Sequence, residues 1–413
     1  MTEWRGHERG SREYRRILAG LFFAGVATFA QLYSTQALLP EIADELRIAP
    51  ATAALTLSVA AIGLAVGVIP WSVLADRVGR VRAMTIALAG ASLVALLVPF
   101  SPSIPVLLAG RFVEGLFVAG VPAAAIAFLG EEISKRDIVR AAGIYVAGTS
   151  IGGLSGRLIA GPVGELVSWR IGILAVGVVC VIASVAFIVL VPHPRGFASA
   201  AARGHGAAGH GAAGHGLAHR LAVNLRSPRL LVLYAQGFLL MGAFVALYNY
   251  LGFRLLGEPF ALPQLLVSLI FVAYLSGTVS ASWAGGVAAR FGSQRVLVGA
   301  GIVMIAGVAL TTVDSLAVVL IGLVVATAGF FAAHALASGW TGREAVVGPA
   351  QAASLYNLAY YAGSSLFGWF GGVVLSAAGW NALAALIIAL VALAGVLAAA
   401  VLRPSRPGDK LEG

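Results

Sequence analysis

The feature that most constrains this chain is a string of long apolar runs separated by short polar breaks. They lie near 17–39, 51–73, 83–100, 104–128, 138–164 and 170–191, then near 229–252, 264–287, 296–313, 316–338, 350–377 and 380–402. About 20 apolar residues in a helix cross the hydrocarbon core of a bilayer. Hydrophobic residues make up 60% of the chain and charged residues only 11%, against about 25% charged in soluble domains. So few charges cannot clothe a water-soluble surface, which excludes a soluble enzyme and a disordered chain. The expectation is an all-α integral membrane protein with twelve transmembrane helices in two six-helix bundles.

Lys and Arg number 27 against 17 Asp and Glu, an excess that in a soluble protein would suggest nucleic acid as a partner. Here the positions decide otherwise. Arg47, Arg170 and Arg254 fall in one set of loops, and Arg111 and Arg157 fall inside apolar runs. The remaining basic residues lie at the termini and in the other set of loops, including Arg77, Arg80, Arg82, Lys135, Arg136, Arg140, Arg290 and Arg295. Basic residues accumulate on the cytoplasmic side of membrane proteins, so both termini are predicted to be cytoplasmic. The stretch with Arg12, Arg15 and Arg16 looks like the charged start of a secretory signal. The apolar run after it is too long for one and leads into further spans, so it is read as an uncleaved first helix. Cys180 is the only cysteine, which leaves neither a disulfide framework nor a cysteine metal site. No cofactor is expected.

The predicted organisation is an N-terminal bundle over 1–191, a linker over 192–228 and a C-terminal bundle over 229–413. The linker is rich in Gly and Ala and repeats every five residues, placing His205, His210 and His215 at equal intervals. Such spacing scatters the histidines around a helix, with no cysteine or carboxylate to complete a ligand set. The expected reading is a solvated tether rather than a metal site. The loop Leu74–Arg82 after the second run aligns with Val287–Arg295 after the eighth. An even number of spans separates the copies, so they point the same way through the membrane. Parallel repeats of this kind build one large class of transporter, with its site near mid-membrane at the repeat interface.

With these residues the chain resembles the major facilitator superfamily along nearly its whole length, and in particular the twelve-span drug or sugar efflux branch of drug:proton antiporters. The loop with Asp76, Arg77, Gly79 and Arg80 matches the signature Gly-x-Leu-Ala-Asp-Arg-x-Gly-Arg-Arg, except that Ser72 and Val81 replace its first and last residues. The resemblance implies that these four residues form a cytoplasmic gate; setting topology is the plainer alternative. Ala289 stands where the second copy would carry the equivalent of Asp76. Arg111 to Gly120 is similar to the arginine-centred motif of proton-coupled members, and Gly148 to Pro162 resembles the antiporter motif, with Arg157 in place of its middle glycine. The first span lacks the membrane carboxylate of some drug:proton antiporters.

Charges inside a span are costly and usually face the bundle interior. Arg111 and Glu114 share a helical face at i, i+3. Glu114 is predicted as the proton carrier and Arg111 as the charge that senses it; a permanent structural ion pair is the alternative. Arg157 has no carboxylate within a turn of its own helix, so a neighbouring span, water or an anionic substrate must supply its partner. Predicted cavity-lining residues are Arg157, Gln31, Tyr33, Gln36, Tyr145, Gln236, Asn249, Asn357, Tyr360 and Tyr361, with Tyr248 and Ser364 as further members of the polar set. Few polar groups on mostly apolar walls suit a small amphipathic molecule. Gly148, Gly152 and Gly156 form a ridge without side chains where another helix can approach, and Gly161–Pro162 loosens the backbone beyond it. His334 is expected to pack as a polar group near the end of span ten.

Gly148–Gly152 and Gly153–Gly156 also fit short serine-hydrolase patterns around Ser150 and Ser155. Among 52 glycines such matches arise easily, and the required strand-turn-helix setting is absent. An intramembrane hydrolase is therefore the remote alternative. The expected function is secondary active transport, with proton-coupled efflux first and a uniporter or importer of a sugar-like or anionic metabolite second. The expected setting is a monomer in a bacterial cytoplasmic membrane, with no nucleic-acid partner.

Overall fold

A computed structural model describes residue 4, residues 6–196 and residues 217–402. His205, His210 and His215, and much of the predicted linker, lie outside the described residues. Residues 217–226, also read as linker, form a helix.

Every long element is a helix, because a backbone surrounded by lipid must satisfy its N–H and C=O groups within its own segment. In chain order these are α1 Arg12–Tyr33, α2 Leu39–Glu45, α3 Pro50–Val78, α4 Arg80–Leu97, α5 Ile104–Val118, α6 Gly120–Glu132, α7 Ile138–Leu166 and α8 Trp169–Leu190. There follow α9 Leu217–Arg226, α10 Pro228–Leu256, α11 Gln264–Ser268, α12 Tyr274–Phe291, α13 Ser293–Leu310, α14 Leu316–Glu344 and α15 Pro349–Val401. Among the described residues, ten segments are long and apolar enough to cross a membrane. The Gly- and Ser-rich α7, 29 residues long, is not among these ten. Gly379, at φ 75° and ψ −173°, interrupts α15 between the two final predicted spans.

Two predicted spans pass through 3-10 turns rather than running as one α-helix. The first, expected over 17–39, stops at Tyr33, turns at Ser34–Thr35, makes a 3-10 turn over Gln36–Leu38 and resumes as α2, which carries Pro40 in its first turn. The fourth runs on from α5 into α6 through Ala119, which keeps helical φ −58° and ψ −25° and donates its N–H to the Gly115 carbonyl at 3.1 Å. The eighth runs as α11, a 3-10 turn over Leu269–Ala273, and α12.

The chain divides into two compact units, one of Met1–Ile48 with Ala53–Gly211 and the other of Ala49–Thr52 with Ala212–Gly413. In the first, α1 packs along α7 and α8, and α4 packs on α5, α6 and α8. Lipid offers no hydrophobic drive for helices to associate, so close backbone approach and interhelical hydrogen bonds hold them together. The indole of Trp71 on α3 donates to the Leu116 carbonyl on α5 at 2.7 Å. In the second unit, α10 packs along α15, and α14 packs on both α12 and α13.

Candidate functional site

The break in span one organises the charged centre of the first unit. Where an α-helix gives way to a 3-10 turn, its last carbonyls lose regular i+4 partners and carry the negative end of the helix dipole; the Gln31 carbonyl accepts from Ser34 N at 3.1 Å. Arg111, fully buried on α5, supplies what is missing. It donates to the carbonyls of Gln31 at 3.1 Å and Leu32 at 2.8 Å, to Ser34 Oγ at 3.3 Å, and to the Thr56 carbonyl on α3 at 3.1 Å. Its Nη1 also lies 2.6 Å from Glu114 Oε2, and Glu114 is likewise buried. The predicted pair on one helical face is present, and it also caps the interrupted helix.

The same break receives the second arginine. Arg157 on α7 donates to Gln36 Oε1 at 2.7 Å and to the Gly153 carbonyl at 2.5 Å, and its guanidinium lies 4.0 Å from the centre of the Tyr33 ring. These three contacts are with neutral groups. Residues 31–36 thus touch Arg111 on one side and Arg157 on the other. Of the residues predicted to line a cavity in this unit, Tyr33, Gln36 and Arg157 meet, and Gln31 belongs to the Arg111 shell. Tyr145 lies three turns before Arg157 on α7, with its hydroxyl buried and lacking a hydrogen-bond partner.

Gly148, Gly152 and Gly156 lie against Phe22, Val26 and Ala30 of α1, a register of four residues on both helices. A Cβ added at Gly152 would stand 2.6 Å from the Val26 carbonyl oxygen. The ridge therefore lets α7 reach the backbone of α1. Gly161 is buried beyond it, and Pro162 sits within the helix.

In the loop between α3 and α4, Gly79 adopts φ 100°, a conformation that L side chains rarely take. That turn places Arg80 so that its Nη1 lies 2.6 Å from Asp76 Oδ1 and its Nε 3.1 Å from Glu131 Oε1. Arg80 is buried while Arg77 is exposed. Sequence reading missed Glu131 and the N-terminal segment beside it. The Trp4 indole donates to the Glu131 carbonyl at 3.0 Å, His7 N donates to the Glu132 carbonyl at 2.7 Å, and Glu132 Oε1 accepts from Arg195 N and Gly196 N.

In the second unit, Gln236 Nε2 donates to the Ala394 carbonyl at 2.8 Å, and Asn249, more than three turns further along α10, is also buried. Tyr248 is buried with its hydroxyl 2.7 Å from Thr327 Oγ1, inside a group of rings that includes Phe244, Phe271 and Tyr274. On α15, Asn357 is exposed and Tyr360 and Tyr361 are half-buried. Tyr356, absent from the predicted set, is the buried member, 2.9 Å from His334 Nδ1. His334 in turn lies 4.9 Å from Tyr360, ring centre to ring centre. Among the described residues, no group of three or more His, Cys, Asp or Glu could hold a metal ion.

The family model of the Major Facilitator Superfamily matches residues 21–345. The chain belongs to the major facilitator superfamily. The MFS-type transporter YybF of Bacillus subtilis (strain 168) is 38% identical over 406 residues, covering 97% of this chain and 98% of its own. The inner membrane transport protein YnfM of Escherichia coli (strain K12) is 37% identical over 387 residues, covering 94% and 90%. A chloramphenicol resistance protein of Streptomyces lividans is 31% identical over 277 residues, 65% of this chain and 66% of its own. In fold, the chain is similar to the crystal structure of a bacterial homolog of the human lysosomal transporter Spinster, with a TM-score of 0.73 at 16% identity, over 95% of this chain and 96% of that one. This chain is a multi-pass membrane transporter of the major facilitator type, and such a protein takes a small-molecule substrate. These matches are to transporters rather than enzymes.

Proposed function

We propose that this transporter exports a small amphipathic compound in exchange for protons, with Glu114 as the proton site. The observation that carries the reading is a buried carboxylate whose arginine partner also donates to the carbonyls where α1 gives way to a 3-10 turn. A proton on Glu114 withdraws one of several ligands from Arg111. The change then bears on residues 31–36, which also hold Arg157. Protonation and substrate contact thus act on one short segment, and each must favour a different state of the protein for transport to follow. The relative named for chloramphenicol resistance supports efflux of a compound of that kind.

In this reading both termini face the cytoplasm, the residues before 192 and after 228 form the two moving bundles, and the chain works as a monomer. Asp76, Arg80 and Glu131 form the cytoplasmic gate, which opens when Arg80 leaves its two acids. The test is a proteoliposome assay with chloramphenicol and an imposed pH difference. Uptake into inverted vesicles is expected to follow the gradient. Uptake that ignores the gradient refutes proton exchange.

A second reading, transport of an anionic metabolite, draws on the place of Arg157, a cation buried beside Gln36 and Tyr33 where span one turns. Under either reading Arg157 meets the substrate, and Arg157→Gln forfeits a charge-assisted hydrogen bond of about 1.5–3 kcal/mol. The half-saturating substrate concentration is expected to rise at least about tenfold, while dependence on the pH difference persists. A transport assay across substrate concentrations at two gradients checks both parts, and distinguishes a neutral amphipathic substrate from an anionic one by which of the two loses affinity.

A further inference from the structure

The second copy of the repeated loop lacks the arginine that fills the first. In the alignment of Leu74–Arg82 with Val287–Arg295, Arg80 corresponds to Ser293. Glu344 stands as far beyond Ser293 as Glu131 stands beyond Arg80, and both loops turn at a positive-φ glycine, Gly79 and Gly292. In the first unit the Arg80 guanidinium lies between Asp76 and Glu131. In the second, a single hydroxyl occupies the corresponding position, and a cavity of about 510 Å³ opens there.

The walls of that cavity are basic. Arg229, Arg295 and Arg343 line it against one acid, Glu344. Glu344 is already engaged, with Arg229 Nε at 3.1 Å and the Trp340 indole at 3.1 Å. Arg295 and Arg343 are exposed and, among the described residues, neither forms an ion pair. Two positive charges are left over. Phe291, largely exposed at the end of α12, and Trp340 join this basic rim to an apolar surface. Surplus arginines, a cavity of headgroup size and aromatic rings at a span end together match the boundary between water and hydrocarbon.

We propose that this cavity binds the phosphate of an anionic phospholipid headgroup, with Arg295 and Arg343 as its charged contacts and Phe291 beside the acyl chains. A soluble phosphate shares the charge chemistry but gains nothing from the apolar edge. The site does not depend on which compound is carried or in which direction.

The test is native mass spectrometry of the full-length protein released from detergent after incubation with equal amounts of phosphatidylglycerol and phosphatidylcholine. The wild type is expected to retain phosphatidylglycerol selectively. Each arginine near a membrane surface contributes roughly a fivefold preference for anionic lipid, so the double variant Arg295→Gln, Arg343→Gln is expected to lower retention about 30-fold. Both side chains are exposed, so folding is not at stake. Equal retention of phosphatidylcholine by the wild type, or undiminished phosphatidylglycerol in the double variant, overturns the proposal. Displacement of the lipid by a modest excess of inorganic phosphate assigns the cavity to a soluble anion and overturns the lipid assignment.

Discussion

Replacing Glu114 with Gln is expected to leave the protein folded while abolishing accumulation driven by a pH difference. The fold survives because Arg111 keeps the carbonyls of Gln31, Leu32 and Thr56 and the Ser34 hydroxyl, and the amide oxygen of Gln can accept in place of the carboxylate. What disappears is the group that gains and loses the proton. If one proton is exchanged per substrate, a pH difference of one unit supports about a tenfold substrate gradient. For the Gln variant the accumulation ratio is expected to fall to about one, because nothing couples the two flows. Substrate exchange between the two sides, measured with labelled compound and no gradient, is expected to continue. The two assays together separate loss of coupling from loss of transport. A Gln variant that still accumulates substrate tenfold moves the proton site elsewhere. The first place to look is then Glu41 on α2, whose carboxylate oxygens are both buried without a hydrogen-bond partner.

How far the sequence reveals this arrangement depends on how local each cause is. Apolar runs, the Asp76–Arg80 loop and the glycines of α7 are visible because each depends on residues close together in the chain. The i, i+3 pair of Arg111 and Glu114 is visible for the same reason. The interruption after Tyr33 is not. Ser34 and Thr35 are unremarkable in a span, and their turn is sustained by an arginine almost 80 residues away. Gln36 and Arg157 both stand out as polar residues in apolar runs, but only the packing of α7 along α1 brings them together. Glu131 is hidden among ordinary loop acids until the loop repeat is extended past Arg82, when it falls in register with Glu344. On α15, the polar row Asn357, Tyr360, Tyr361 and Ser364 follows helical periodicity correctly. Yet His334 on α14 engages Tyr356, one position away, because a helix with polar residues on several sides does not announce which side is buried.

Two glycines of one helix should respond in opposite ways to the same substitution. Alanine in place of a helical glycine is favoured by about 1 kcal/mol where there is room for the methyl group. At Gly143, exposed on α7, nothing lies within 4 Å of the added Cβ, so Gly143→Ala is expected to be neutral or to stabilise by up to about that amount. At Gly152 the added Cβ would meet the Val26 carbonyl oxygen at 2.6 Å and the Val26 Cα at 2.7 Å. Both are backbone atoms, so no rotamer change relieves the contact and α7 must move away from α1. Overpacking of this kind costs about 1–3 kcal/mol, which sets the two variants apart by about 1–4 kcal/mol. Comparing the unfolding midpoints of the two purified variants checks the difference; equal midpoints would show that the α1–α7 seam yields without cost. The effect on transport should be larger than the effect on folding. Parting the helices at Gly152 draws Arg157, little more than a turn further along α7, away from Gln36 and Tyr33 on the far side of the span-one break. A variant that keeps its fold in detergent but no longer transports would place the fault in that contact rather than in the bundle as a whole.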